Sequence, residues 1–161
     1  MEIRFVQPWD LKQVIALEQA NFPAEEQIAV SILSTYVHRL DQTCLVMEND
    51  GELVGFILSC PSDSSVVTDD IFYLTADTLP VGKHLAIASL SVADSYKGQG
   101  VGTLLLAALK EVAVVAGFEG IALTCKDYLV RYYEMNQFED RGPSLSQFGG
   151  QIWYDMYWKA L

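Results

Sequence analysis

The stretch from Leu85 to Gly117 constrains the fold most, because its hydrophobic period changes midway. Leu85 to Val92 is a short apolar run of small and branched side chains, which predicts a strand buried on both faces. From Val101 onward the apolar residues recur at spacings of three and four, which predicts a helix with one face packed inward. Gly117 is placed to end this helix in a left-handed conformation. The sequence therefore predicts a strand that passes into a helix through a short junction.

The junction reads Lys97-Gly98-Gln99-Gly100-Val101-Gly102, and its composition suits an anion site. Its glycines let the backbone turn tightly with its amides exposed. The first amides of the following helix have no internal acceptor and lie at the positive end of the helix dipole, where phosphates commonly bind. The spacing matches neither G-x-x-x-x-G-K-[ST] nor G-x-G-x-x-G, because Thr103 is the third residue after Gly100. We therefore predict a phosphate site of another kind.

A second motif follows about thirty residues later. The segment Gly120 to Cys125 is predicted to be a strand, and Val130 to Phe138 reads V-R-Y-Y-E-M-N-Q-F on a predicted helix. Two strands that flank a long helix form a βαβ unit, so we expect Leu85–Val92 and Ile121–Cys125 to be parallel neighbours.

Together the two motifs resemble those of the GNAT superfamily of N-acetyltransferases. Lys97, Gly100 and Gly102 fall on its acyl-CoA loop, [RQ]-x-x-G-x-[GA], with lysine in place of arginine or glutamine. Tyr133 falls on the tyrosine of its [FY]-Y-x-x-x-G-F signature, in which Gln137 replaces the usual glycine. The resemblance implies an α/β (α+β) GNAT fold over a single domain, residues 1–161. This fold has a mixed central sheet of six to seven strands, two splayed parallel central strands and about four helices.

The resemblance also implies a reaction, the direct transfer of an acetyl group from acetyl-CoA to a primary amine in a ternary complex. Tyr133 is the expected acid that protonates the departing thiolate, and a strand amide near Leu90 to Val92 is expected to polarise the thioester carbonyl. The residues that the resemblance assigns to the cofactor are Leu90, Ser91, Val92, Lys97, Gly98, Gln99, Gly100, Val101, Gly102, Thr103 and Tyr133.

The catalytic base is less well defined by the sequence. In the arylalkylamine-type (serotonin N-acetyltransferase-like) branch, two histidines lie along the central strand, where this chain has Ala86 and Ala88. His84 precedes them by two residues and is predicted to act through water, with a solvated histidine at the strand start as the alternative. Glu18, Glu25 and Glu26 are further candidates, each with a helix-surface charge as its alternative.

The segment E-Q-A-N-F-P-A-E-E, residues 18 to 26, resembles the part of that branch that borders the amine pocket. We therefore predict that Glu18, Phe22, Pro23 and Glu26 bind the substrate. The alternative is an ordinary pair of helices separated by proline.

The net charge of −11 and the pI near 4.4 count against nucleic acid as a partner, because a phosphate backbone would be repelled. This charge fits a small cationic amine, or an acidic surface that only maintains solubility. No apolar run reaches the roughly 20 residues of a membrane span and the N-terminus lacks a signal-peptide pattern, so we predict a cytoplasmic protein without membrane contacts. The three cysteines are widely spaced, which favours buried thiols over a disulfide or a metal site.

The remaining elements follow from local patterns. The predicted segments are a strand at Glu2–Gln7, a helix from Pro8, a helix from Ala24 to Leu40, a hairpin around Asn49-Asp50-Gly51, a strand at Val66–Leu74, a helix at Tyr128–Asn136 and a terminal strand at Ile152–Trp158.

Two other functions remain open from the sequence. A protein N-terminal or ribosomal-protein acetyltransferase would share the two motifs. A domain that binds acyl-CoA without turnover, as a sensor, stays open because the strand histidines are absent and Gln137 replaces the usual glycine. Aromatic residues in the last strand suggest a homodimer, or a covering helix as the alternative.

Overall fold

A seven-stranded sheet carries four helices in the computed structural model, which describes residues 1–161. The strand order is β1-β2-β3-β4-β5-β7-β6, and only β4 and β5 are parallel neighbours. The predicted GNAT architecture is thereby confirmed. The strands are β1 (Glu2–Phe5), β2 (Cys44–Asn49), β3 (Glu52–Ser62), β4 (His84–Val92), β5 (Gly120–Cys125), β6 (Glu139–Pro143) and β7 (Tyr154–Lys159), and the helices are α1 (Leu11–Asn21), α2 (Val30–Arg39), α3 (Val101–Ala116) and α4 (Val130–Met135).

The sheet separates two hydrophobic cores. Val14 of α1 and Leu33 and Tyr36 of α2 pack on one face. Leu105 and Leu109 of α3 pack on the other face, together with side chains of α4. This division follows from the sequence, because the apolar stripes of the helices and the continuous apolar runs of β3 and β4 all need cover.

The predicted hairpin between β2 and β3 is confirmed. Asp50 and Gly51 have φ angles of 51° and 82°, the left-handed pair that joins two strands tightly. Two other elements are shorter than predicted. Ala24–Glu26 form a separate 3-10 turn, so α2 begins at Val30, and the last strand begins at Tyr154.

The predicted strand at Val66–Leu74 is wrong. This segment is a loop with a 3-10 turn at Asp69–Phe72. Both edges of β3 are already paired, with β2 on one side and β4 on the other, so no edge there can accept another strand. The apolar residues of the loop cover the first core, and Tyr36 Oη donates a 2.6 Å hydrogen bond to the carbonyl of Ile71.

The aromatic residues of β7 do not form an exposed surface. Tyr157 is buried in the first core, and Trp158 is half-buried beside Lys110. The homodimer therefore stays a prediction without support from this strand. All three cysteines are buried free thiols. None of the helices combines the length and the apolar character that crossing a bilayer requires.

Candidate active site

The two parallel strands separate in the middle of the sheet. β4 pairs with β5 only from His84 to Ala86, opposite Gly120 to Ala122. Beyond these pairs the strands splay, as the resemblance implied, and a cavity of about 120 Å³ lies in the opening. Its walls include Leu90 of β4 and Cys125 of β5. The edge of β4 that faces β5 is unpaired there, so amides on this edge are available to a ligand.

The junction before α3 presents a row of free donors. The backbone amides of residues 98 through 103 have no acceptor within the protein. Gly100, at the start of the helix, has a φ of 83° and a ψ of 9°, a left-handed conformation that aims the chain into α3. Lys97 lies beside this row and forms a 2.9 Å ion pair with Asp94. These donors suit an anionic group such as a diphosphate.

A groove of about 530 Å³ runs along these donors and meets the cavity. The groove and the cavity share four lining residues, Phe22, Leu90, Leu129 and Tyr133. The predicted cofactor residues that line the groove are Leu90, Ser91, Val92, Lys97, Gly98, Gly100, Val101, Gly102, Thr103 and Tyr133. Gln99 is not brought into it, since its side chain donates to the carbonyl of Ser95 at 3.1 Å. The long groove fits a cofactor with an anionic end and an extended arm.

Tyr133 lies where the groove and the cavity meet. Its side chain is buried, and its hydroxyl has no hydrogen-bond partner in the protein. Burial raises the pKa of Tyr133, so the hydroxyl keeps its proton at neutral pH. Gln137 has a φ of 66°, so the turn after α4 keeps the conformation that glycine would adopt, and Tyr133 stays in register.

Tyr132 was missed by the sequence reasoning. Its hydroxyl lies 3.1 Å from the hydroxyl of Thr103, so it covers the first turn of α3 from the side of α4. No spacing in the sequence could show this contact, because the two residues belong to different elements.

Glu18 of α1 is buried at the wall of the cavity, with 1% of its surface exposed. Its carboxylate accepts hydrogen bonds from the hydroxyl of Ser89 at 2.7 Å and from the amide of Ile28 at 2.9 Å. Burial raises the pKa of Glu18, while these two hydrogen bonds lower it. No cation pairs with it. The alternative reading of Glu18 as a helix-surface charge is therefore wrong.

A β-bulge in β4 brings Ser89 to Glu18. Leu58 of β3 lies opposite Ser89, while the next residue, Ser59, lies opposite Ile87. The extra residue, Ala88, breaks the strict alternation that would place Ser89 on the same face as Ile87. Ser89 instead points toward α1.

Glu26 also lines the cavity, but its charge is neutralised. Lys126, just beyond β5, forms a 2.7 Å ion pair with it. This hydrogen bond raises the pKa of Lys126. Of the other predicted substrate residues, Phe22 lines the cavity and Pro23 does not, and the base candidate Glu25 is exposed to solvent.

The loop between β6 and β7 covers the outer side of the cavity. Phe148 stacks on Phe72 with ring centroids 4.2 Å apart, and the indole of Trp153 donates to the carbonyl of Phe148 at 2.8 Å. Asp69 accepts from the amide of Gln147 at 3.2 Å and from the hydroxyl of Ser146. The loop thus forms an aromatic roof, defined here as residues 144–153, that is attached to the rest of the protein at several points.

His84 is not brought to this cavity. It lies at the opposite end of β4, where its Nδ1 is 2.8 Å from the hydroxyl of Tyr157 and its Nε2 is 3.8 Å from a carboxylate oxygen of Glu119. It lines a separate surface cleft together with Arg141. Its predicted catalytic role has no support from this arrangement.

Comparison with known proteins agrees with this geometry. Residues 11–137 match the model of the acetyltransferase (GNAT) family. Among solved structures, the loading GNATL domain of CurA from Lyngbya majuscula is 15% identical with a TM-score of 0.82, covering 99% of this chain and 97% of that one. The GphF GNAT-like decarboxylase in complex with isobutyryl-CoA is 18% identical with a TM-score of 0.81, and both chains are covered completely, at 100%. Arabidopsis thaliana NAA60 in complex with acetyl-CoA is 16% identical with a TM-score of 0.74, covering 98% of this chain and 97% of that one. No curated protein matches the chain.

Proposed function

The chain belongs to the acetyltransferase (GNAT) family, and we propose that it transfers the acetyl group of acetyl-CoA to the primary amine of a small molecule. The acyltransferase class follows from the family. The choice of acceptor is our proposal, and so is the acetyl group in preference to a longer acyl chain.

The observation that carries the proposal is the small cavity between the splayed strands, which contains one carboxylate without a cation partner. About 120 Å³ holds only a compact group, since a cavity of about 150 Å³ binds a benzene molecule. Phe148 and Trp153 of the aromatic roof form part of the cavity wall, which leaves room for a compact amine rather than for a peptide. Glu18 supplies a negative charge without a cation partner, which favours a ligand with one ammonium group. These features favour a small monoamine over a protein N-terminus.

The residues that would hold acetyl-CoA are those of the groove. The free amides of residues 98 through 103 suit its diphosphate, and the unpaired edge of β4 suits its extended arm. When bound, acetyl-CoA supplies the acetyl group, so that a C–N bond forms as the C–S bond breaks and the acceptor ammonium gives up two protons, one of them to the sulfur. Tyr133 holds a proton at its hydroxyl where the groove meets the cavity, and it can donate this proton and recover one from the amine nitrogen.

The acceptor needs help from the protein to react. An ammonium with a pKa near 10 costs roughly 4 kcal/mol to hold neutral at pH 7, at about 1.4 kcal/mol per pKa unit. The apolar walls of the cavity lower this cost because burial disfavours the charged form of an amine. Membership of the arylalkylamine-type branch stays a prediction: Glu18 and Phe22 lie at the cavity wall, but the cavity volume favours amines smaller than an arylalkylamine.

Thiol release from acetyl-CoA by the purified protein tests the proposal. A panel would contain compact primary amines, a polyamine, an aminoglycoside and a peptide with a free N-terminus. We expect turnover with compact amines and little with the other three. Turnover with the peptide alone would support the protein N-terminal acetyltransferase instead. Binding of acetyl-CoA in calorimetry without turnover of any amine would support the sensor.

A further inference from the structure

We propose that Glu18 is the group that accepts the proton of the acceptor's ammonium, and that Ser89 is a positioning residue that holds the Glu18 carboxylate toward the cavity. This inference rests on the proposed function, because it requires an amine in the cavity. The proton moves from the ammonium nitrogen to a carboxylate oxygen of Glu18, which leaves a neutral amine and a neutral carboxylic acid. Glu18 then returns the proton to water.

Glu18 and Tyr133 line the same cavity, and Leu90 of the splayed strand lies in its wall as well. The hydroxyl of Ser89 and the amide of Ile28 each donate to a different carboxylate oxygen, so the group is fixed from two sides. A fixed acceptor beside the reacting groups is what general base catalysis requires.

The other titratable groups that face the cavity are either paired with a cation or protonated at neutral pH. Glu26 is paired with Lys126 at 2.7 Å, so its charge is already matched. Burial raises the pKa values of Cys125, from β5, and of Tyr133, from α4, so both groups are protonated at neutral pH. Glu18 is therefore the one carboxylate at the cavity without a cation partner.

The apolar walls of the cavity also lower the free-energy cost of the proton transfer. An apolar cavity lowers the pKa of a buried ammonium and raises the pKa of a buried carboxylic acid. Burial acts on Glu18 in this direction. The same walls thus bring the donor and the acceptor closer in pKa, and transfer converts a buried ion pair into two neutral groups.

If Glu18 only supports the fold, a variant that keeps its hydrogen bonds should keep the activity. Its two hydrogen bonds also tie α1 to β4 and to the segment before α2. Glutamine keeps these ties, because its carbonyl can accept from the Ile28 amide while its NH₂ donates to the Ser89 hydroxyl. The variant Glu18→Gln therefore separates proton transfer from support of the fold. Glu25→Gln is the matched control, because Glu25 is exposed on the neighbouring turn.

The experiment follows kcat/KM against pH with a compact amine and saturating acetyl-CoA. We expect Glu18→Gln to lower kcat/KM by roughly 10²- to 10⁴-fold and to remove the acidic limb of the profile. Glu25→Gln should keep both the wild-type rate and the acidic limb. Ser89→Ala removes a hydrogen bond that favours the charged carboxylate, so the acidic limb should move to higher pH while the other limb stays. An unchanged rate and acidic limb in Glu18→Gln would overturn the inference while leaving the proposed function in place.

A second measurement needs neither acetyl-CoA nor turnover. Infrared difference spectra of the wild type against Glu18→Gln report the carboxylate and the carboxylic acid bands of Glu18, and isobutylamine serves as the probe. We expect the probe to change the ratio of these bands and to bind at least tenfold more weakly to Glu18→Gln than to Glu25→Gln. Equal binding to both variants with unchanged bands would reject the role of Glu18 even in a protein that proved inactive. If the wild type nevertheless transferred acetyl groups, the proposed function would hold and another group would have to accept the proton.

Discussion

The hydroxyl of Ser89 donates a 2.7 Å hydrogen bond to the buried carboxylate of Glu18, across 71 positions of sequence. This bond links α1 to the strand that carries the bulge, at the wall of the cavity where the parallel strands separate. The Glu18 carboxylate has no cation partner, although it lies at the wall of a largely apolar cavity. A buried charge of this kind costs stability unless a ligand or a proton neutralises it.

Glu18→Gln should therefore change how stability depends on pH. Folding raises the pKa of Glu18 above its usual 4.5, so protonated Glu18 contributes stability below about pH 4.5, and this contribution is lost as the pH rises through the folded pKa. Glutamine does not ionise, so Glu18→Gln does not lose this stability as the pH rises. We expect the unfolding free energy of Glu18→Gln, relative to the wild type, to be higher at pH 7 than at pH 4 in urea denaturation. A constant difference between the two proteins across this range would show that the Glu18 pKa is not raised.

Tyr133→Phe should separate chemistry from binding. The hydroxyl has no partner within the protein, so its removal should change the unfolding free energy by no more than about 0.5 kcal/mol. Loss of the proton donor should lower kcat by roughly 10²- to 10³-fold. Calorimetry should give the same Kd for acetyl-CoA in both proteins. Full turnover by Tyr133→Phe would exclude this residue as the acid.

Gly100→Ala tests the anion site, and Gly117→Ala is its control. The two glycines lie at opposite ends of α3 with φ angles of 83° and 82°, and a methyl group at either position would meet no protein atom within 4 Å. Each alanine should therefore cost a similar amount, about 1 kcal/mol, for the left-handed conformation. Only Gly100→Ala should weaken acetyl-CoA binding, because only its methyl group projects beside the free amides. Equal affinities in the two variants would place the diphosphate elsewhere.

Phe148→Ala should widen the range of acceptors. Phe148 stacks on Phe72 and lines the cavity, so its loss opens the aromatic roof. We expect kcat/KM for phenethylamine to rise relative to that for isobutylamine, at a cost of about 1 to 2 kcal/mol in stability from the lost stacking and burial. Leu145→Ala is the matched control, because Leu145 lies in the same loop and is fully exposed, at 97%. A selectivity that did not differ between the two variants would mean that the roof does not limit the acceptor.

Several features could be predicted from local sequence. The strand, the glycine junction and the helix from Leu85 to Gly117 follow from a change of period and from glycines that few other residues could replace. The hairpin at Asp50-Gly51 follows from the two residues that accept its φ angles. Tyr133 could be identified because the residues of its motif lie close together, on one short helix and the turn that follows it. In each case the signal lies within a few neighbouring residues.

Other features depended on distant parts of the chain. The segment Val66–Leu74 has the composition of a strand, but β2 and β4 occupy both edges of β3, so it became a loop. His84 and Ser89 lie on the same strand, and only the point where β5 diverges decides which of them reaches the cavity. Their roles could not be separated by spacing along β4.

The sequence by itself determined most of the elements, the glycine junction before α3 and the register of Tyr133, because periodicity and glycine positions act over a few residues. Only the tertiary structure decided that Glu18 is buried and that Ser89 faces it. One extra residue in β4, at Ala88, reverses the face of every side chain after it, and this bulge depends on pairing with β3. The burial of Glu18 likewise depends on packing between α1 and β4, which no local pattern in either segment specifies.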